Sequence, residues 1–134
     1  MAGYYLDTSV WLDYYEKRGL NGEISIKLII KLIEEDGIIG ISDLNTMELK
    51  NLGYSRYEVN EIFKVARPEN SRNVHVTKEQ IEEANRIAKK RNVPKKDVLH
   101  AIICRDHDFQ LIATDAHFEK LKDITKAIMP KNVV

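Results

Sequence analysis

The sequence has little of several things that would assign a function directly. Its 134 residues include one cysteine, Cys104, which excludes an intramolecular disulfide. The four histidines stand apart, and no pair of cysteines or histidines has the spacing of a zinc site. No apolar run approaches the roughly 20 residues of a membrane-spanning helix, and the N-terminal residues lack the basic segment of a signal peptide. We therefore expect a cytoplasmic protein with no membrane partner.

An excess of charge of one sign is also missing. Lys and Arg total 21, Asp and Glu total 21, and the formal net charge is zero. This excludes a strongly basic domain that binds nucleic acid through bulk charge, although a local basic patch remains compatible with it. Hydrophobic residues make up 43% and charged residues 31%, which is typical of a soluble globular protein. The length predicts a single domain, residues 1–134.

Short apolar runs alternate with amphipathic segments along the chain. Between residues 24 and 36, isoleucines recur at helical spacing, and Gly19 with Asn21–Gly22 is predicted to separate this helix from an earlier one at 10–17. Capping-box patterns predict further helices that begin at Ser55 and Thr77. The predicted strands lie at 4–6, 38–41, 74–76, 110–114 and 125–129. Strands that alternate with helices in this way indicate an α/β fold, a parallel sheet with helices on both faces.

Two acidic residues lie directly after the ends of predicted strands. Asp7 comes directly after the first strand, and Asp115 comes directly after the strand at 110–114. Ligands of open parallel sheets bind at the carboxyl ends of the strands, so these carboxylates share an edge if their strands are neighbours. Asp97 lies in the first turn of a helix, where an acid also suits the helix dipole. Glu48 lies among apolar residues of another helix and points either into the cleft or into solvent.

Several carboxylates in one cleft suggest a metal site. Each acid taken alone is more often an ordinary surface residue. Gathered together, the acids repel one another, and a divalent cation relieves that repulsion. Oxygen ligands suit Mg²⁺ or Mn²⁺ better than zinc. Such an ion can activate water and stabilise an in-line displacement at phosphorus.

Four segments carry a family resemblance. Tyr5–Val10, with the sequence YLDTSV, resembles the h-x-D-[TS]-[SN]-h opening of PIN-domain ribonucleases, especially the VapC-type toxins of toxin–antitoxin pairs. Residues 42–49 (SDLNTMEL), 97–101 (DVLHA) and 111–118 (LIATDAHF) resemble the second, third and fourth motifs of that family. A single DTS tripeptide is weak evidence. Four motifs in the family order, over essentially the whole chain, are a strong resemblance.

The resemblance implies a PIN-like three-layer α/β fold, with a central parallel sheet of four to five strands flanked by helices. It implies an endoribonuclease in which Asp7, Glu48, Asp97 and Asp115 converge on one or two Mg²⁺ or Mn²⁺ ions. A metal-bound water then attacks the RNA and leaves a 5′-phosphate and a 3′-hydroxyl. Asp7 and Asp97 carry over as direct ligands, and Glu48 and Asp115 as ligands directly or through water. Ser9 matches a residue that hydrogen-bonds the first acid or the water around the metal.

Two histidines depart from the family pattern. His117 stands where the family often has a second acid. His100 stands where the family more often has an aliphatic residue. His100 lies three residues after Asp97, so it shares that face of the helix and could orient Asp97 or a phosphate. A buried histidine with satisfied hydrogen bonds is the favoured interpretation.

A basic run precedes Asp97. Residues 86–96 carry six positive charges and no negative one. The run is either a solvated helix end or a set of contacts to the RNA backbone, and we favour contacts that hold the RNA beside the metal. If so, replacing Lys89 and Lys90 by Ala makes the salt dependence of RNA binding shallower. The candidate contacts are Lys89, Lys90, Arg91, Lys95 and Lys96.

The resemblance also implies partners. VapC-type toxins bind a cognate antitoxin protein and form homodimers, and their RNA targets include tRNA and ribosomal RNA. The helices at 24–36 and 55–66 correspond to the region that receives the antitoxin. Tyr54, Tyr57 and Phe63 form either an exposed apolar patch there or part of the ordinary core.

Other readings of the acids are weaker. A haloacid-dehalogenase-type phosphatase needs a second Asp two residues after the first, and this chain has Ser9 there. A receiver domain needs an acidic pair and a late lysine that do not occur. Two alternatives keep the fold. One is an RNA-processing PIN nuclease without an antitoxin, and the other is a catalytically inactive PIN-like module that binds RNA or protein.

Overall fold

The computed structural model describes residues 2–66 and 68–134. Its strands are β1 (Gly3–Leu6), β2 (Ile39–Ser42), β3 (Ser71–Val74) and β4 (Phe109–Ile112). Its α-helices are α1 (Thr8–Glu16), α2 (Gly19–Glu34), α3 (Asp43–Asn51), α4 (Arg56–Phe63), α5 (Lys78–Arg91) and α6 (Lys95–His107). Short 3₁₀ turns cover Lys64–Ala66, Ala116–Leu121 and Pro130–Asn132. None of the helices in the described ranges combines the length and the apolar character needed to span a bilayer.

The four strands form one parallel sheet in the order β3-β2-β1-β4. Strand β1 is central, and Tyr4 lies opposite Ile39 on one side and Gln110 on the other. The predicted α/β class and parallel sheet are confirmed. Because β1 and β4 are neighbours, the acids that follow them, Asp7 and Asp115, come to the same edge of the sheet.

Two hydrophobic clusters cover the two faces of the sheet. Successive side chains of a strand point to opposite faces, so Tyr5 enters one cluster and Leu6 the other. The Tyr5 side is built mainly from α5 and α6, with Ile102 fully buried. The Leu6 side is built from α1, α2 and α4, with Trp11 and Phe63 at its centre. The architecture is therefore helix, sheet, helix in three layers.

The glycines near residue 20 do not form the predicted linker. Helix α1 ends near Lys17, which has a left-handed backbone, but Gly19 and Gly22 already belong to α2. Gly22 is buried, and a Cβ atom there would lie 2.5 Å from the carbonyl carbon of Lys17. Glycine thus lets the first turn of α2 pack against the end of α1, and the prediction of a break was wrong about residues 19–22.

The two weaker predicted strands also differ from the structure. The strand predicted at 74–76 lies at 71–74, on the edge of the sheet. Only Val74 of this strand is buried, so the alternating pattern that marks a strand is weak there. The strand predicted at 125–129 is reduced to a single parallel bridge between Ile112 and Ile128.

Candidate metal centre

The structure brings the four predicted acids to one cleft at the carboxyl ends of the strands. Asp7 caps α1 directly after β1, Glu48 lies on α3, Asp97 lies in the first turn of α6, and Asp115 caps the 3₁₀ turn after β4. All four carboxylates line the same cleft, together with Ser9. Four separate chain segments therefore contribute one acid each. The catalytic or metal-binding role of each acid stays a prediction.

Asp7 is held rigidly at the bottom of the cleft and is only 7% exposed. Its Oδ1 accepts a hydrogen bond of 2.9 Å from the amide of Thr8, and its Oδ2 accepts one of 2.9 Å from the Ser9 hydroxyl. Burial raises the pKa of Asp7, while the charge of His100 and the bond from Ser9 offset part of that rise. The predicted support of Asp7 by Ser9 is present in the structure as this hydrogen bond.

Glu48 points inward, which settles the orientation that the sequence left open. Its Oε1 accepts hydrogen bonds of 2.6 Å from the Thr8 hydroxyl and 2.6 Å from Nε2 of His100. Burial by itself would raise the pKa of Glu48, but the bond and charge of His100 and the bond from Thr8 bring it below its usual value. Asn45 in turn donates to the Thr8 hydroxyl at 3.0 Å. Glu48 is thus kept as a carboxylate in a fixed orientation.

His100 joins the cleft to the core. It is fully buried, and its Nδ1 lies 2.6 Å from the Tyr5 hydroxyl, which lies 2.7 Å from the hydroxyl of Ser42. Burial opposes protonation, but the bond to Glu48 and the charge of Asp7 leave the pKa of His100 above its usual value. The interpretation of a satisfied buried histidine is confirmed. Its partnership with Glu48 was not predicted, because the two residues are 52 positions apart.

Asp97 and Asp115 meet on the open side of the cleft, beside His117. Nδ1 of His117 lies 3.0 Å from Oδ2 of Asp97 and 3.0 Å from Oδ1 of Asp115. Burial, followed by the charges of Asp115 and Asp7, raises the pKa of Asp97 to about 6. A half-buried acid destabilised by neighbouring acids is the situation that a divalent cation relieves.

The donor atoms on this side of the cleft fit such a cation. Asp97, Asp115 and His117 each offer one ligand atom, and the three atoms lie within 4.8 Å of one another. Asp7 and Glu48 add carboxylate oxygens to the same cleft. Carboxylate oxygens are the ligands that Mg²⁺ and Mn²⁺ prefer, so the residues present can hold either ion.

The basic residues of the run at 86–96 do not lie together at the acid cleft. Of its five candidate RNA contacts, Lys96 alone lines the acid cleft in the described part of the chain. Arg91 donates two hydrogen bonds of 2.8 Å to the two carboxylate oxygens of Asp123, so an ion pair already engages it. Lys89 and Lys90 are exposed in the last turn of α5, and Lys95 is exposed at the start of α6. Their contacts with RNA stay a prediction.

The proposed apolar patch is smaller than the sequence suggested. Tyr57 is 72% exposed, but Phe63 is fully buried, with its ring 5.0 Å from that of Trp11. Tyr54 is half-buried, and its hydroxyl donates to Glu16 at 2.7 Å. Of the two alternatives, the ordinary core holds for Phe63, because it lies on the face of α4 that packs into the core. A separate groove is lined mainly by apolar residues of α1 and α2: Tyr14, Tyr15, Ile26 and Ile30.

Comparison with known proteins identifies the family. Residues 4–124 match the PIN domain family, so the chain belongs to it, a family of nucleases. No curated protein sequence matches the chain significantly.

Solved structures share the fold over nearly the whole chain. The crystal structure of VapBC2 from Rickettsia felis, bound to a DNA fragment from their promoter, has a chain 14% identical in sequence with a TM-score of 0.68; the match covers 94% of this chain and 97% of that one. FitAcB from Neisseria gonorrhoeae matches with 17% identity and a TM-score of 0.63 over 95% and 97%. PAE2754 from Pyrobaculum aerophilum matches with 20% identity and a TM-score of 0.62 over 99% and 88%. At these identities the likeness shows a shared PIN fold.

Proposed function

We propose that this protein is an endoribonuclease that uses Mg²⁺ or Mn²⁺ to hydrolyse RNA phosphodiester bonds. The observation that carries the proposal is the convergence of Asp7, Glu48, Asp97 and Asp115, from four segments of a PIN-family chain, in one cleft. Asp97 supports it further, since burial and the charges of Asp115 and Asp7 raise its pKa to about 6, and a cation would relieve the cost of its charge.

The chain's own residues would divide the work as follows. Asp7, Asp97 and Asp115 would hold the cation, and Glu48 would hold it directly or through water. When bound, the cation supplies positive charge for the phosphate oxygens and lowers the pKa of water. Ser9 and the amide of Thr8 fix the Asp7 carboxylate. A carboxylate fixed in this way would hold its ligand in place before the substrate arrives, which is where much of the rate enhancement of such sites originates.

We propose that Lys96 contacts the RNA backbone beside the acids, and the support is that it lines the same cleft. We expect Lys96→Ala to weaken RNA binding and to lower the slope of log affinity against log salt by about one unit. Lys78→Ala, an exposed lysine at the start of α5, is the matched control and should leave the slope unchanged. Fluorescence anisotropy of a labelled RNA across a salt series measures both. Equal slopes for the two variants would remove Lys96 from the RNA contact.

The nuclease proposal is tested by cleavage of a labelled panel of total tRNA, ribosomal RNA fragments and structured RNAs. Wild-type protein and Asp7→Asn are compared with Mg²⁺, Mn²⁺ or EDTA. We expect cuts that require the metal, carry 5′-phosphate ends and disappear in Asp7→Asn. Equal cutting by both proteins would exclude Asp7 from the site and point to a contaminant. RNA binding without any cutting would favour the inactive binding module instead.

The biological role that we propose is that of the toxin of a toxin–antitoxin pair, acting as a homodimer inhibited by an antitoxin protein. The support is the structural likeness to VapBC2 and FitAcB, and the groove lined by apolar residues of α1 and α2. The alternative is an RNA-processing nuclease without an antitoxin. Induced expression in a bacterial host distinguishes the two roles. If the protein is a toxin, expression of the wild type arrests growth and expression of Asp7→Asn does not. If it is a processing nuclease, neither protein affects growth.

A further inference from the structure

His117 brings an imidazole nitrogen into a cluster of carboxylates. Its Nδ1 lies 3.0 Å from Oδ2 of Asp97 and 3.0 Å from Oδ1 of Asp115. Adjacent ligands of an octahedral ion with metal–ligand bonds near 2.1 Å are separated by about 3.0 Å. The two distances from Nδ1 of His117 are therefore those of neighbouring ligands on one metal ion, and all three atoms lie within 4.8 Å of one another.

The backbone of the turn that carries His117 is fixed, while the side chain itself is about half exposed. Asp115 caps this 3₁₀ turn, and the amide of His117 donates a hydrogen bond of 2.8 Å to Oδ1 of the same Asp115. The next residues anchor the turn, since Phe118 and Leu121 are buried in the core. Two candidate ligand atoms thus come from one braced turn, and the third comes from the first turn of α6.

We propose that His117 binds the metal directly through Nδ1, together with Asp97 and Asp115, so that the centre is a mixed nitrogen and oxygen site. This proposal rests on the proposed function, whose acids alone would give an all-oxygen site. Imidazole adds little affinity for Mg²⁺ but favours transition metals increasingly from Mn²⁺ to Co²⁺. The consequence is a protein that selects Mn²⁺ over Mg²⁺ more strongly than an all-carboxylate centre does.

The simpler explanation for His117 is that it only donates a hydrogen bond to the neighbouring carboxylates. Another exposed histidine of the chain is paired with an acid in this way and serves as a control. Nδ1 of His75 lies 3.2 Å and 3.3 Å from the two carboxylate oxygens of Asp43, on an exposed surface. Neither residue lines the acid cleft within the described ranges. His75→Ala is therefore the control for loss of an exposed histidine paired with an acid.

The direct readout is the pulsed electron paramagnetic resonance spectrum of the Mn²⁺-loaded protein. A nitrogen bound to Mn²⁺ modulates the electron spin echo, and ¹⁵N-histidine labelling changes the modulation frequency. We expect the nitrogen signal in wild type and in His75→Ala, and its loss in His117→Ala and His117→Asp. Circular dichroism of the variants checks the fold, which both substitutions should preserve because the capping bond uses the backbone amide of residue 117.

Calorimetric titration gives the second readout. We expect His117→Ala to bind Mn²⁺ at least about tenfold more weakly than wild type. His117→Asp restores an oxygen ligand, so it should bind Mg²⁺ well while its preference for Mn²⁺ over Mg²⁺ falls at least about tenfold. A nitrogen signal that persists in His117→Ala, or Mn²⁺ affinities unchanged in both variants, would overturn the proposal.

The same titrations separate this proposal from the proposed function. One outcome is that wild type binds Mn²⁺ without a nitrogen signal, that Asp97→Asn does not bind Mn²⁺, and that His117→Ala binds it as well as wild type does. The metal site would then stand, and only the proposed role of His117 would be wrong. If wild type binds neither Mn²⁺ nor Mg²⁺, the metal-dependent nuclease proposal is wrong, and the His117 proposal, which depends on it, is wrong as well.

Discussion

Asp97→Asn is expected to abolish RNA cleavage and at the same time to stabilise the metal-free protein. Cleavage should fall roughly a thousandfold or more, because the substitution removes a charged oxygen from the proposed metal centre. Stability should rise because the Asp97 carboxylate is largely buried beside two other acids, and burial together with the charges of Asp115 and Asp7 raises its pKa to about 6. An amide of the same shape carries no charge and escapes that repulsion.

The sign of the pH dependence follows from the raised pKa of Asp97. The folded protein binds this proton more tightly than the unfolded chain, whose Asp titrates near 3.8. The free energy of unfolding of the metal-free wild type should therefore fall as pH rises from about 4 to above 6. At full value the shift corresponds to roughly 3 kcal/mol, but screening by the solvent that enters the cleft reduces this to about 1 kcal/mol.

Urea denaturation at pH 4 and pH 7.5, with EDTA present, measures the effect. Asp97→Asn should be more stable than wild type at pH 7.5 by about 1 kcal/mol and nearly equal to it at pH 4. Glu82→Gln, which neutralises an exposed acid on α5, is the control and should show no such difference. A variant less stable than wild type at pH 7.5 would contradict the crowding of acids that the cleft implies.

The second large effect is expected at His100. In His100→Leu, Glu48 loses the donor at 2.6 Å and the Tyr5 hydroxyl loses one of its two partners. Leaving a buried carboxylate short of a hydrogen bond costs about 2–3 kcal/mol of stability. With Glu48 as a ligand of the proposed metal centre, metal affinity should fall about 10- to 100-fold, as is usual when a residue that orients a ligand is removed.

A conservative variant tests whether His100 acts through Glu48. Gln at position 100 can donate to Glu48 and accept from Tyr5, so we expect His100→Gln to recover part of the Mn²⁺ affinity that His100→Leu loses. In a double-mutant cycle with Glu48→Gln, the losses of His100→Leu and Glu48→Gln should be clearly non-additive. Additive losses would mean that His100 supports the core and not the orientation of Glu48.

The positions of Asp7 and Asp115 at the ends of their strands were predictable from the sequence because they depend on a local rule. A residue that follows a parallel strand lies at the carboxyl edge of the sheet, which placed Asp7 and Asp115. Helix starts were equally local, since the capping boxes at Ser55 and Thr77 are both present in the structure. The adjacency of β1 and β4 could not be read from spacing. The prediction that Asp7 and Asp115 share an edge held only if their strands were neighbours, and β1 and β4 do pair in the structure.

Contacts between distant segments were beyond the sequence. The pairing of Arg91 with Asp123 and the bond from His100 to Glu48 join residues more than 30 positions apart, and no periodicity marks them. The burial of Phe63 depends on which face of α4 meets Trp11. The bounds of edge strand β3 were predicted wrongly for a different reason. Only one of its four residues is buried, so its sequence lacks the alternation of apolar and polar residues that marks a strand.

The most direct test of the metal centre is anomalous X-ray diffraction from crystals of the protein soaked in Mn²⁺. We expect an anomalous peak in the cleft from an ion bound by carboxylate oxygens of Asp97 and Asp115, and no such peak in Asp97→Asn crystals soaked in the same way. A cleft without a peak in wild-type crystals, or a peak bound by residues outside the cleft in both proteins, would contradict the claim that these acids form a metal centre.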